Sequence, residues 1–72
     1  MSRAVYDVVP MNDGWLVRMA GNSHSEWHAG KDEALHAARR LAREADEWQV
    51  RVFDISGKLE TELHSPPVHK AP

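Results

Sequence analysis

The chain has 72 residues, nine Lys plus Arg against eleven Asp plus Glu, a formal charge of −2 and no Cys. A chain of this length forms one domain with a small core, and without Cys it can build neither disulfides nor thiolate metal sites. The charge gives no overall attraction to nucleic acid. Because the sequence has neither a signal-peptide pattern nor an apolar run of about 20 residues, we expect a cytoplasmic protein that does not span a membrane.

The first predicted element is a β-hairpin. Val5 to Pro10 is rich in β-branched residues, and Asn12-Asp13-Gly14 is typical of a tight turn. Trp15 to Ala20 then alternates in hydrophobicity, which predicts an antiparallel return strand. After a polar turn, Ser25 to Ala29 alternates as well and predicts a short third strand.

A helix is predicted from Lys31, where the apolar period changes from two residues to three and four. Asp32 and Glu33 fall in its first turn, where negative charge interacts favourably with the helix dipole. Gly30 occupies the N-cap position. The apolar stripe consists of Ala34, Leu35, Ala38, Leu41, Ala42 and Ala45.

A second hairpin follows the helix, with strands from Trp48 to Ile55 and from Lys58 to His64 around a Ser56-Gly57 turn. On the second strand, alternation places Leu59, Thr61 and Leu63 on one side and Glu60 and Glu62 on the solvated side. Residues 1–65 are therefore predicted to form a single small domain, and 66–72 a disordered C-terminal tail.

The predicted fold class is α+β, an antiparallel sheet of about five strands in the order β-β-β-α-β-β with one helix packed on one face. Because one helix cannot cover two faces, the other face of the sheet stays open. In a core this small, most of the following large side chains are expected to be structural: Trp15, Trp27, Trp48, Leu35 and Leu41. The residues predicted to pack between sheet and helix are Trp15, Val17, Leu35, Leu41, Val50 and Val52.

The order and spacing of these elements carry a family resemblance. The chain reads Y-x-V-V-P, D-G-W-x-V, K-D-E-A-x-x-A-A-R-x-L-A and V-x-V-x-D-x-x-G-K in succession. It resembles the small bacterial domain-of-unknown-function 2188 family over about Tyr6 to Ser65. The family pattern usually has Ser or Thr where this chain has Gly30. The resemblance supports the fold and implies no activity, cofactor or catalytic residue.

The sequence offers little for catalysis or metal binding. No Ser stands at a spacing from His and a carboxylate that implies a triad, and a domain this small has little room for a cleft of about 300 Å³. His24 and His28 with Glu26 or Asp54 would be the nearest approach to a metal site, but four residues of a strand span about 13 Å. We expect no enzymatic activity, no cofactor and no metal.

Two surfaces are candidates for binding. On the helix, Arg39, Arg40 and Arg43 lie with His36 opposite the alanine stripe. They form either a phosphate-binding patch or a solvated face in which Arg40 and Arg43 pair with neighbouring acids such as Glu44 and Glu47. On the open sheet face, alternation predicts an exposed set that consists of Leu16, Arg18, Glu26, His28, Arg51, Phe53 and either Val5 or Tyr6.

The sequence therefore predicts a non-catalytic protein-interaction or self-associating module, whose partner is a second copy or another protein. The alternative is a weak nucleic-acid-binding module that uses the helix arginines or the open sheet face. The candidate contact residues are Arg39, Arg40, Arg43, Arg18, Arg51 and Phe53.

Overall fold

The computed structural model describes residues 3–21 and 25–66, and in these ranges the α+β class and the predicted β-β-β-α-β-β order are confirmed. Of the predicted tail, only Pro66 lies inside the described residues, and His24 lies outside them. The elements are β1 Arg3–Met11, β2 Gly14–Met19, β3 Ser25–His28, α1 Lys31–Ala42, β4 Glu47–Phe53 and β5 Leu59–His64.

The five strands form one sheet in the spatial order β3-β2-β1-β4-β5. Three of the strand pairs are antiparallel, and the central pair, β1 with β4, is parallel. The parallel pair follows from chain direction, because two antiparallel returns and one helical crossover leave β4 running the same way as β1. The crossover places β4 beside β1 rather than beside β3.

The core lies between the sheet and α1. Its largest fully buried side chains are Val8, Val17, Val50 and Val52. They pack against the small residues of α1, since Ala34, Ala38 and Ala42 are also fully buried and allow the helix to lie close to the sheet. Of the predicted core set, the three valines are buried, whereas the larger side chains only cover the margin of the core and stay partly exposed: Trp15, Leu35 and Leu41.

The third strand has the opposite phase to the one predicted. Glu26 pairs with Val17 and His28 with Trp15, so both lie on the helix side of the sheet, where His28 Nε2 is 3.3 Å from Glu26 Oε1. Trp27 pairs with Leu16 on the open face and is 53% exposed, so it lies outside the core between sheet and helix.

A register shift between Val52 and Phe53 changes the alternation of β5. Thr61 pairs with Val52, but Leu59 pairs with Phe53, so one residue is inserted between these two pairs. Leu59 therefore shares the open face with Phe53, in contrast to the prediction that it lies on one side with Thr61 and Leu63. Lys31, at the start of α1, donates a hydrogen bond to the Glu60 carboxylate, which places Glu60 on the helix side of the sheet.

Candidate functional site

A row of four alternating charges crosses the open face of the sheet. Asp7 on β1 pairs with Arg18 on β2 and with Arg51 on β4, and Arg51 pairs in turn with Glu62 on β5. Cross-strand partners have side chains on the same face, so the order across four neighbouring strands is positive, negative, positive, negative. We call Arg18, Asp7, Arg51 and Glu62 the charge row.

The central pair of the charge row is fixed in geometry. Arg51 Nε donates to Asp7 Oδ1 at 2.8 Å and Arg51 Nη2 donates to Asp7 Oδ2 at 3.0 Å, which is the bidentate arrangement of a guanidinium on a carboxylate. Asp7 is only 7% exposed. The hydrogen bonds to Asp7 raise the pKa of Arg51, and the negative charge of Glu62 acts in the same direction. The pair therefore presents a preorganised dipole on the open face, with the positive end nearer to solvent.

An apolar row runs beside the charge row. Leu16 on β2 pairs with Val9 on one side and with Trp27 on the other, and Phe53 on β4 pairs with Leu59. Val8 and Val52 are partners in the parallel pair of β1 and β4, so the next residues, Val9 and Phe53, also lie side by side. The row therefore continues across all five strands. We call Trp27, Leu16, Val9, Phe53 and Leu59 the apolar row.

The two ends of the apolar row are its most exposed parts. Leu59 is 50% exposed and Trp27 53%, whereas the central side chains are partly buried by their neighbours. The guanidinium of Arg51 lies 5.7 Å from the ring centre of Phe53, so a cation–π contact joins the apolar row to the charge row. The open face therefore carries a row of partly exposed apolar side chains beside a fixed ion pair.

Gly14 allows Trp27 to lie flat on the sheet. A Cβ at this position would overlap the indole ring of Trp27 and would come within 2.5 Å of the carbonyl oxygen of His28. The glycine of the Asp-Gly-Trp turn is therefore required for close approach of β3. It also sets the position of the indole at the end of the apolar row.

The helix arginines lie on the opposite side of the molecule. Arg39, Arg40 and Arg43 are exposed and line, with His36, a shallow depression of about 300 Å³. Within residues 3–21 and 25–66, none of these three arginines forms an ion pair, so the proposed pairing with Glu44 and Glu47 is wrong for this part of the chain.

The surface has more concave volume than the sequence argument allowed. One depression of about 540 Å³ is lined by residues that include Arg3, Trp48 and Glu62, and another of about 400 Å³ by residues that include His28 and His36. The expectation that the domain lacks room for a cleft of about 300 Å³ was therefore wrong. In the described part of the chain, no three His, Cys, Asp or Glu side chains come together as a metal site.

The structure brings three of the six predicted contact residues together on one face, namely Arg18, Arg51 and Phe53. Sequence reasoning missed Asp7 and Glu62, which complete the charge row. Asp7 carried a signal, because it lies between Val5 and Val9 in the same alternation and so had to share their face. Trp27 and Leu59 lie on this face because of the phase of β3 and the bulge in β5. Alternation within a strand reveals neither of these features.

Two further kinds of observation concern membrane-spanning helices and similarity to known proteins. No helix within residues 3–21 and 25–66 combines the length and apolar character needed to cross a membrane. No curated protein and no solved structure matches the chain. A family model described as an uncharacterized protein conserved in bacteria matches residues 6–62, which include all of β2, β3, α1 and β4. The chain therefore belongs to the DUF2188 family.

Proposed function

We propose that this domain is a non-catalytic protein-interaction module and that the open sheet face is its contact surface. The observation that carries the proposal is the apolar row beside the charge row, on a face that no helix of the described chain covers. The absence of Cys suits a reducing compartment, and we propose the cytoplasm as its location.

The apolar row and the charge row contribute differently to a contact. Burial of apolar side chains such as Leu59 and Trp27 supplies the free energy of association, at about 25 cal/mol per Å² of apolar area removed from water. Fixed charges contribute less free energy, but they select the partner and its orientation, because like charges across an interface are strongly unfavourable. Since Arg51 already holds Asp7 in place, little ordering of these side chains is needed on binding.

The alternative is a weak nucleic-acid-binding module that uses the helix arginines. It is favoured by the exposure of Arg39, Arg40 and Arg43 and by their lack of ion pairs within the described ranges. It is disfavoured by the formal charge of −2 and by the small number of cations, because about three phosphate contacts give only weak, strongly salt-dependent binding. The protein-contact proposal is therefore preferred.

Photo-crosslinking in bacterial cells separates the two functions. A photoreactive benzoylphenylalanine replaces Leu59 on the open face in one variant and Arg40 on the helix in a matched control, since both positions are exposed. We expect covalent protein adducts from position 59 and none from position 40.

Protein adducts that are equally abundant from both positions, or missing from position 59, would contradict the proposed contact surface. Nuclease-sensitive adducts from position 40 would instead support the nucleic-acid alternative. A titration of the purified chain with DNA or RNA near physiological salt provides a second check. We expect no affinity tighter than the roughly 10⁻⁴–10⁻⁶ M of non-specific contacts.

A further inference from the structure

We infer that the partner of the open sheet face is a second copy of this chain, held by a twofold axis that runs parallel to the strands over the boundary between β1 and β4. The inference rests on the proposed protein contact at this face and identifies the partner and its orientation. It is drawn from the order of charges across the sheet.

The charge row is complementary to itself under this rotation. An axis parallel to the strands reverses the strand order of the second copy, so that β2 lies opposite β5 and β1 lies opposite β4. Arg18 then faces Glu62 of the second copy, and Asp7 faces Arg51 of the second copy. Each contact occurs twice, as an isologous interface requires, and every facing pair has opposite charges.

The other twofold axis in the plane of the interface fails the same comparison. An axis perpendicular to the strands, placed along the charge row, sets every strand opposite its own copy. Arg18 would then face Arg18 of the second copy, and the same holds for Asp7, Arg51 and Glu62. Like charges in direct opposition are unfavourable, so the charge row selects the axis that is parallel to the strands.

The apolar row agrees with this choice. Under the selected rotation, Val9 faces Phe53 of the second copy and Leu16 faces Leu59 of the second copy. Apolar side chains therefore meet apolar side chains, with no charged group opposite an apolar one in this row. Trp27 on β3 lies at the margin, because the sheet has no sixth strand opposite it within the described chain.

The dimensions suit two sheets packed face to face. Aligned sheets pack about 10 Å apart, a gap that the long side chains of Arg18 and Glu62 can bridge. The four facing strands, about 4.8 Å apart and about 20 Å long, give each copy a projected overlap of about 400 Å². Stable interfaces bury about 800 Å² per partner, so we expect a weak dimer that exchanges quickly.

The test uses charge reversal at the two ends of the charge row. Arg18→Glu places two glutamates opposite each other twice in the dimer, and Glu62→Arg does the same with two arginines. Each variant alone should dimerise at least about tenfold more weakly than the parent chain. An equimolar mixture of the two variants restores both opposite-charge pairs, and the mixed dimer should form with a Kd within about threefold of the parent value.

Sedimentation velocity with a dye on the N-terminus of one variant reports the mixed dimer directly. Within one copy, Arg18 neighbours Asp7 and Glu62 neighbours Arg51, so each reversal also perturbs its own sheet. The double variant in one chain contains both of these perturbations. It should nevertheless dimerise like the parent, since its facing pairs are again opposite in charge. Arg40→Glu is the matched control and should leave the Kd unchanged.

Failure of the mixture and of the double variant to recover dimerisation would overturn the inference, as would a parent chain that stays monomeric at millimolar concentration. These results are distinct from failure of the proposed function. A monomeric chain that still gives protein adducts from position 59 in cells would retain the contact surface with a different partner, whereas loss of those adducts would remove the surface itself.

Discussion

Replacement of Gly14 by Ala tests how the open face is built. The added Cβ would lie 2.5 Å from the carbonyl oxygen of His28 and would overlap the indole of Trp27, although real Cβ atoms essentially never come closer than 3.0 Å to such atoms. β3 would therefore have to move away from β2 by at least about 0.5 Å, and the indole would have to turn off the sheet.

Overpacking of this kind costs about 1–3 kcal/mol. The free energy of unfolding of the whole domain is about 4–11 kcal/mol, so the loss is a substantial part of it. At about 4–8 °C per kcal/mol for a domain of this size, the Tm should fall by about 4–24 °C.

Circular dichroism melts of the Gly14→Ala variant give this Tm directly. Gly30→Ala is a suitable control, because the nearest atom to its Cβ is the carboxylate oxygen of Glu33 at 3.2 Å, at the end of a flexible side chain. Its cost should be that of a weaker N-cap, about 1 kcal/mol or less. If Gly14→Ala melted within 1 °C of the parent chain, the close approach of β3 and the placement of Trp27 would both be refuted.

Three further predictions concern the Asp7–Arg51 pair, the Asp54 turn and the start of α1. Arg51→Met should lower the free energy of unfolding, measured by urea denaturation, by about 1–3 kcal/mol, because it leaves the buried carboxylate of Asp7 without its two hydrogen bonds. Adding Asp7→Asn to this variant should recover part of the loss, because it removes the buried charge. The Ser56 hydroxyl and nearby backbone N–H groups hold the pKa of Asp54 below its ordinary value of 3.8. The stabilisation that ionised Asp54 gives is therefore complete above pH 3.8 and is lost as the pH falls through the lowered pKa of the folded state. In the Asp54→Asn variant the Tm should therefore fall less steeply below about pH 4. A Tm that depends on pH in this range as it does in the parent chain would contradict this. Gly30→Ser should raise the free energy of unfolding by a few tenths of a kcal/mol. The backbone of Gly30 is already extended, at φ −118° and ψ 149°, and no side chain caps the helix, so a serine hydroxyl can supply the missing hydrogen bond. A lower Tm in this variant would show that the new serine does not cap the helix.

Local pattern was sufficient for the elements and for part of the core, although the predicted core set left out the fully buried Val8. Alternation identifies which residues of one strand share a face, and in β4 this correctly separated Val50 and Val52 from Arg51 and Phe53. The three- and four-residue period of α1 likewise identified Ala34, Ala38 and Ala42 as buried, but it missed Ala37. These features depend only on neighbours in the chain, which is why a single sequence contains them.

The remaining features depend on how strands meet. The phase of the four-residue β3 is set by its pairing with β2 and by the space above Gly14, so Trp27 faces outward although alternation permits either side. The bulge opposite Phe53 moves Leu59 to the open face through one inserted residue that leaves no compositional signal. The charge row spans four strands, so it could be recognised only once their order in the sheet was known.

Methyl spectra of the leucines, recorded on the parent chain over a range of concentrations, test self-association through the open face most directly. Leu16 and Leu59 lie on the open face, whereas Leu35 and Leu41 pack on the helix side and serve as controls of the same residue type. We expect the methyl signals of Leu16 and Leu59 to shift as the concentration rises from about ten-fold below to ten-fold above the Kd, and those of Leu35 and Leu41 to stay in place. Shifts confined to Leu35 and Leu41, or no shift at any of the four positions, would contradict the account.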